Sequence, residues 1–185
     1  ITVQTDPATG QNIQTTDVSG VVSQTHYDAL GRPTQQSKTG YPAQHMSYHS
    51  PDGHTAPHAM AMVTTTMAGA PDSAVYLDKT GRTLRTRTTG FNGTDTILQD
   101  VTYNTRGQKT TESVPYLAGD NGAITLYSGY DELGRAKQKI SPQTQGTLTA
   151  TYTYSGLSTQ INTSVTSGTP LTMHRTYNSQ NQLVE

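Results

Sequence analysis

Tyr130-Asp131-Glu132-Leu133-Gly134-Arg135 repeats Tyr27-Asp28-Ala29-Leu30-Gly31-Arg32 at five positions of six, and this self-similarity decides how the rest of the chain is read. Leu77-Asp78-Lys79-Thr80-Gly81-Arg82 keeps the Asp, the Gly and the Arg. Tyr103-Asn104-Thr105-Arg106-Gly107-Gln108 exchanges Asp for Asn and Arg for Gln, and Tyr177-Asn178-Ser179-Gln180-Asn181-Gln182 replaces the Gly by Asn as well. Asn is the other residue that tolerates a left-handed backbone, so the substitutions follow the geometry of a turn.

Asp or Asn at the first position and Gly at the fourth is the preference of a type I turn followed by a left-handed residue, whose bulge lets a hairpin close. Gly31, Gly81, Gly107 and Gly134 are therefore expected at positive φ, with Tyr ending one strand and Arg beginning the next. The units start at residues 27, 77, 103, 130 and 177, at intervals of 50, 26, 27 and 47. Two of these intervals are doubled. A degenerate copy at Tyr154-Ser155-Gly156-Leu157 divides the last, and an Asp52-Gly53 turn marks a decayed unit in the first.

Between the turns the chain alternates. Leu148, Ala150, Tyr152 and Tyr154 point one way while Thr147, Thr149, Thr151 and Thr153 point the other; Ile97, Val101 and Tyr103 oppose Leu98, Asp100 and Thr102 in the same manner. A unit of 24–27 residues is thus two strands and two turns of an antiparallel meander. No helical periodicity of useful length competes with it.

Composition agrees. Leu, Ile, Val and Phe make up 28 of 185 residues, below the level of about 20% at which a chain normally builds a large aliphatic core. Disorder by that route also needs a high net charge, and 12 basic residues here meet 13 acidic ones. In place of aliphatics stand 35 Thr and 11 Tyr, with 17 Gly and 9 Pro for turns; Thr and Tyr suit a pleated, half-buried surface. The net charge of −1 carries no electrostatic footprint for nucleic acid or an anionic membrane. No window reaches the 18 or so apolar residues of a membrane-spanning helix. The absence of Cys excludes disulfides and thiolate metal sites.

The Y-D-x-x-G-R motif at a spacing near 25 residues, in a chain rich in Tyr, Thr and Gly, resembles the YD repeats of the RHS family over roughly residues 20 to 185. Tyr103 to Gln108, followed by Ser113-Val114-Pro115-Tyr116 and then Tyr130 to Arg135, is similar more narrowly to the B and C components of bacterial insecticidal toxin complexes. The resemblance implies hairpins laid edge to edge in one long curved antiparallel sheet, a segment of a β-shell around a toxic C-terminal segment. It also implies a fragment spanning residues 1–185, secreted or at the bacterial cell surface, whose partners are the remainder of the parent protein and its toxin segment. Asp6-Pro7 is followed by Ala8-Thr9-Gly10, so the self-cleavage region of the family is not carried over.

The residues that define the repeat are Tyr27, Asp28, Gly31, Arg32, Asp78, Gly81, Arg82, Tyr103, Asn104, Gly107, Tyr130, Asp131, Gly134 and Arg135, and their expected role is structural. The Arg residues are expected to bond turn carbonyls and the Asp of the adjacent unit. Arg85 and Arg87, sharing a face with Thr83, read as a wet side of the sheet. His45, His49, His54 and His58 are the one cluster that suggests a metal, but Pro42, Pro51, Asp52, Gly53 and Pro57 interrupt it. It is expected to be a solvated loop with little regular sheet and no metal. Asp28, Asp52, Asp78, Asp120 and Asp131 sit where turn hydrogen bonding explains them, and no pair of carboxylates stands out for acid–base work. Asn92-Gly93-Thr94 and Asn162-Thr163-Ser164 match the glycosylation acceptor pattern. The expectation is a non-catalytic structural segment without cofactor, and the rival reading is a carbohydrate-binding or adhesive β module that offers its tyrosines to surface glycans.

Overall fold

A computed structural model describes residues 1–52, 54, 56–166 and 168–184. They are all-β, with sixteen strands, no helix among the described residues, and an open antiparallel sheet whose strand order follows the chain. The chain divides into two compact units, Ile1–Leu98 and Gln99–Glu185.

In the first unit β1 (Thr2–Thr5), β2 (Asn12–Thr16), β3 (Val22–Tyr27), β4 (Pro33–Lys38), β5 (Gln44–His49), β6 (Ala61–Met67), β7 (Ser73–Leu77) and β8 (Thr83–Thr89) each pair with the next. The cut between units falls inside β9 (Thr96–Tyr103). It is followed by β10 (Lys109–Ser113), β11 (Tyr116–Leu117), β12 (Ile124–Ser128), β13 (Gln138–Gln143), β14 (Gly146–Ser155), β15 (Ser158–Val165) and β16 (Leu171–Thr176). These too pair in order, except that β11 leaves the path to pair with β9.

Turns of two kinds drive this meander. Asp28 N–H donates to Arg32 O and Gly31 N–H to Asp28 O, both at 2.9 Å, and the same two bonds recur at Asp78, Asn104, Asp131 and Asn178. The ladder slips by one residue beside the first three of them, which is the bulge that the D/N-x-x-G pattern requires. Gly31, Gly81, Gly107 and Gly134 lie at φ +78°, +81°, +80° and +76°, and Asn181 stands in for Gly at +59°. The alternate hairpins turn differently. Lys38-Thr39-Gly40-Tyr41, Met67-Ala68-Gly69-Ala70 and Leu117-Ala118-Gly119-Asp120 close by a bond from the fourth N–H to the first C=O, with a positive φ at the third residue as in a type II turn. Alternation puts the motif turns at one end of the strands and the type II turns at the other, with Asp17–Val21, which makes the D-x-x-G bonds at the type II end, as the exception.

A chain so poor in aliphatics buries little. In the first unit Met62, Ala74 and Tyr76 form the core cluster, with Ala59 packed against it and Ala56 also buried; in the second, Ala150 is buried. Single-face alternation supplies the rest: in β5, Gln44, Met46 and Tyr48 are half-buried while His45, Ser47 and His49 are exposed.

That alternation corrects the reading of the histidine segment as an irregular loop. Strand β5 carries both His45 and His49 and pairs with β6 over six residues. Pro42 and Pro51 lie outside the strand, where they bound it. Of the Asp52-Gly53 turn, Gly53 lies outside the described residues.

At Gly81 an added Cβ meets nothing within 4 Å, so any penalty for substitution there comes from the backbone alone. Gly81→Val should cost about 1–2 kcal/mol in chemical denaturation, whereas Gly81→Asn, which copies position 181, should cost much less. Equal losses would contradict the left-handed requirement.

Candidate functional site

The repeat residues come together at the D/N-x-x-G turns. Asp28 Oδ1 accepts the N–H groups of Leu30 and Arg32, both at 2.9 Å. Its Oδ2 receives Arg32 Nε at 2.8 Å and Nη2 at 2.7 Å. Asp78 repeats this with Arg82 at 2.7 and 2.6 Å, and Asp131 with Arg135, both bonds at 2.8 Å. Each Arg thus grips the Asp of its own turn, not that of the adjacent unit as expected, because four residues round a tight turn bring the guanidinium fork squarely onto the second carboxylate oxygen.

Where Asn replaces Asp, Gln replaces Arg. Asn104 Oδ1 accepts the N–H groups of Arg106 and Gln108, both at 3.0 Å, while its Nδ2 donates to Gln108 Oε1 at 2.8 Å. Asn178 and Gln182 do the same, their amides meeting at 2.8 Å. An amide NH2 facing a guanidinium would put donor against donor, so the two positions must change together.

The Arg N–H first and its guanidinium after it hold the carboxyls of Asp28 and Asp131 below their ordinary values, against the opposing effect of burial. At Asp78 burial is the largest single influence and pushes upward. The Arg82 N–H, the Thr80 hydroxyl and the Arg82 guanidinium together outweigh it, and the carboxyl ends well below the ordinary range.

Tyrosines tie one turn to the next. Tyr27 Oη donates to Asn12 O, Tyr48 Oη to Pro33 O and Tyr154 Oη to Ala136 O, each at 2.9 Å, and Tyr130 Oη donates to Lys109 O. Every acceptor is the first residue beyond the previous turn at the same end of the strands, two turns back along the chain. The motif Arg of that turn also lies over the incoming ring: Arg32 is 4.1 Å from the Tyr48 centroid and Arg135 is 4.0 Å from that of Tyr154, in cation–π range. Tyr152 and Tyr154 stack in parallel with centroids 6.2 Å apart, but the hydroxyl of Tyr154 and one of its faces are already used. Tyr103, which ends β9, is half-buried.

The decayed unit works by other means. Asp52 Oδ1 accepts the Tyr76 hydroxyl at 2.6 Å and Oδ2 accepts Arg87 Nη1 at 2.7 Å, while Arg85 Nη1 donates to His54 O at 3.0 Å. Arg85 and Arg87 are therefore not a wet face but the anchors of the connection between β5 and β6. Tyr76 is fully buried, and burial first, then Asp52, pushes its hydroxyl up to about 12. At Asp52 burial is again the largest influence and raises the carboxyl, yet Tyr76, the His54 N–H and Arg87 hold it below its ordinary value.

Sequence reading missed Tyr48 and Tyr76, which stand four and two residues before their Asp, and Asp17, whose turn through Gly20 to Val21 makes the same backbone bonds. The D-x-x-G spacing of Asp17 was the available signal; without a flanking Tyr and Arg it does not stand out. Among the described residues no three His, Cys, Asp or Glu side chains gather as a ligand set.

No family model and no curated protein matches this sequence. Among solved structures it is similar to "Crystal Structure of TcdB2-TccC3" at 14% identity and TM-score 0.36, and to "Crystal Structure of TcdB2-TccC3-Cdc42" at 13% identity and TM-score 0.37. A structure of the Photorhabdus luminescens Tc holotoxin pore is similar at 13% identity and TM-score 0.36. Each match covers 96% of this chain and 12% of the other.

Two predictions follow from the turn chemistry. Gln108→Arg alone should lower the melting temperature, and adding Asn104→Asp should restore it, with a coupling on the order of 1 kcal/mol; additive losses would refute the paired exchange. Because Asp28, Asp78 and Asp131 have folded values below their unfolded ones, the stability they contribute is present above the unfolded carboxylate range, about pH 4, and is lost as pH falls through the folded values. Melting temperature should therefore drop on acidification from about pH 5 downward, and the Asn104→Asp/Gln108→Arg chain should drop more steeply than the parent.

Proposed function

We propose that this chain is a non-catalytic structural segment of an RHS/YD-repeat protein, part of a β-sheet shell that encloses or presents a toxin domain outside the bacterial cell. Its partners in this reading are the rest of its own polypeptide and the segment so enclosed. One observation carries the proposal: the repeated polar residues are spent on the lattice. The motif carboxylates are saturated by backbone N–H groups and guanidinium, with depressed affinities for protons, the reverse of what a general acid needs. The hydroxyls of Tyr27, Tyr48, Tyr130 and Tyr154 face backbone carbonyls of the preceding unit. Such groups extend a sheet and leave little for turnover. The cover over Tyr154 also weighs against the adhesive reading, which would need free ring faces.

Limited proteolysis of the polypeptide as its gene encodes it tests the reading. Sequences outside the repeats should be protected, and Tyr130→Phe with Tyr154→Phe, which removes two links between units, should expose them to cleavage at lower protease concentration. Identical cleavage of parent and variant would sink the enclosure reading, and specific glycan capture lost on Tyr152→Ala would replace it with the adhesive one.

A further inference from the structure

One face of the second unit carries a feature that the turn lattice does not use. Strand register sets Lys139, Ala150, Thr163 and Leu171 in one row across β13 to β16, with Tyr152, Ile161 and Met173 in the next. Ala150 is the small residue among large neighbours, and above it opens a groove of about 260 Å³. Its walls include Leu171, 60% exposed, and Met173, 43% exposed, beside the half-buried Tyr152 and Ile161, and contiguous bare apolar surface marks a docking site more often than chance.

The charges of the groove have one sign. Lys139 on β13 and Arg175 on β16 border it at diagonally opposite corners, with Tyr152 and Ile161 between them, and no carboxylate lines it. Glu112, which lies close enough to feel Lys139, is already held by Lys109 at 3.2 Å and by the Tyr127 hydroxyl at 2.9 Å. Both β14 and β15 are paired on each side, so nothing can add to them as a further strand. An occupant lying over β14 and β15 must therefore bind through side chains.

We propose that this groove docks an acidic, leucine-rich peptide segment of a partner protein, its apolar side chains over Ala150, Tyr152 and Ile161 and its carboxylates on Lys139 and Arg175. The size favours a peptide, since small-molecule sites run to about 300–1,000 Å³ and this groove holds two or three side chains. The charges favour it too: two cations across an apolar span call for two separated anions, whereas a fatty acid offers one. The inference is independent of the shell reading.

The test uses a fluorescein-labelled Glu-Leu-Leu-Ala-Leu-Glu peptide, its Gln-for-Glu counterpart and dodecanoate, with the intact chain and fluorescence anisotropy. The Glu peptide should bind, more weakly as salt rises. Binding should weaken about tenfold or more for the Gln peptide and for Arg175→Glu, a charge reversal at an exposed position whose melting curve should match the parent. Leu171→Ser, at an exposed position, should weaken the Glu peptide without shifting the melting curve. Equal binding of the two peptides, indifference to the charge reversal, no binding of either peptide, or displacement of the Glu peptide by stoichiometric dodecanoate would each overturn the proposal.

Discussion

A single side-chain oxygen that accepts two backbone N–H groups of its own turn is the interaction on which this chain depends. Asp28, Asp78, Asn104 and Asn178 supply it in full, and Asp131 holds the Arg135 N–H in the same way. A chain with few aliphatics cannot rely on a thick core to hold its strands in register, and it has two open faces to solvate. Register must then be fixed locally, strand by strand. The turn does this by satisfying backbone donors at the reversal and committing the next residue to a left-handed conformation that only Gly or Asn adopts cheaply.

Local turns do not by themselves make a sheet of many strands, because each hairpin could fray from its neighbour. The hydroxyls of Tyr27, Tyr48, Tyr130 and Tyr154 counter this. Each reaches from the end of one strand to the carbonyl just past the previous turn at the same end of the strands, so the ring spans the seam between successive hairpins, and at Tyr48 and Tyr154 the Arg that clamps the earlier turn covers the ring as well. The Arg therefore serves two units at once. Its guanidinium pairs with a carboxylate in its plane and stacks on an aromatic with its face, a combination that Lys cannot provide.

The decayed unit at Asp52 shows how far the pattern can drift while its physics persists. The carboxylate still accepts a backbone N–H, that of His54, but its second oxygen is met by Arg87 of β8 rather than by an Arg four residues on. The hydroxyl of Tyr76 completes the site, and around it lies the core cluster of the first unit. This half-buried carboxylate is tolerable beside the core because each of its oxygens has a partner.

Much of this was legible in the amino acids because turn and strand are short-range affairs. The Asp, Gly and Arg of a turn lie within five residues, so the D-x-x-G-R pattern reports the positive φ of Gly81 and Gly134 directly, and the period of two in residues 147 to 154 reports which side chains share a face. The all-β meander followed from those two readings. Tertiary structure decided what crosses strands. The acceptors of Tyr27, Tyr48 and Tyr130 lie 15 to 21 residues away, and those of Arg87 and Arg85 lie 35 and 31 away; no spacing along the chain encodes such partners. Strand register alone brings Lys139, Ala150 and Leu171 into one row. A one-residue slip would send each to the opposite face, so the groove belongs to the pairing of the strands and not to any stretch of sequence.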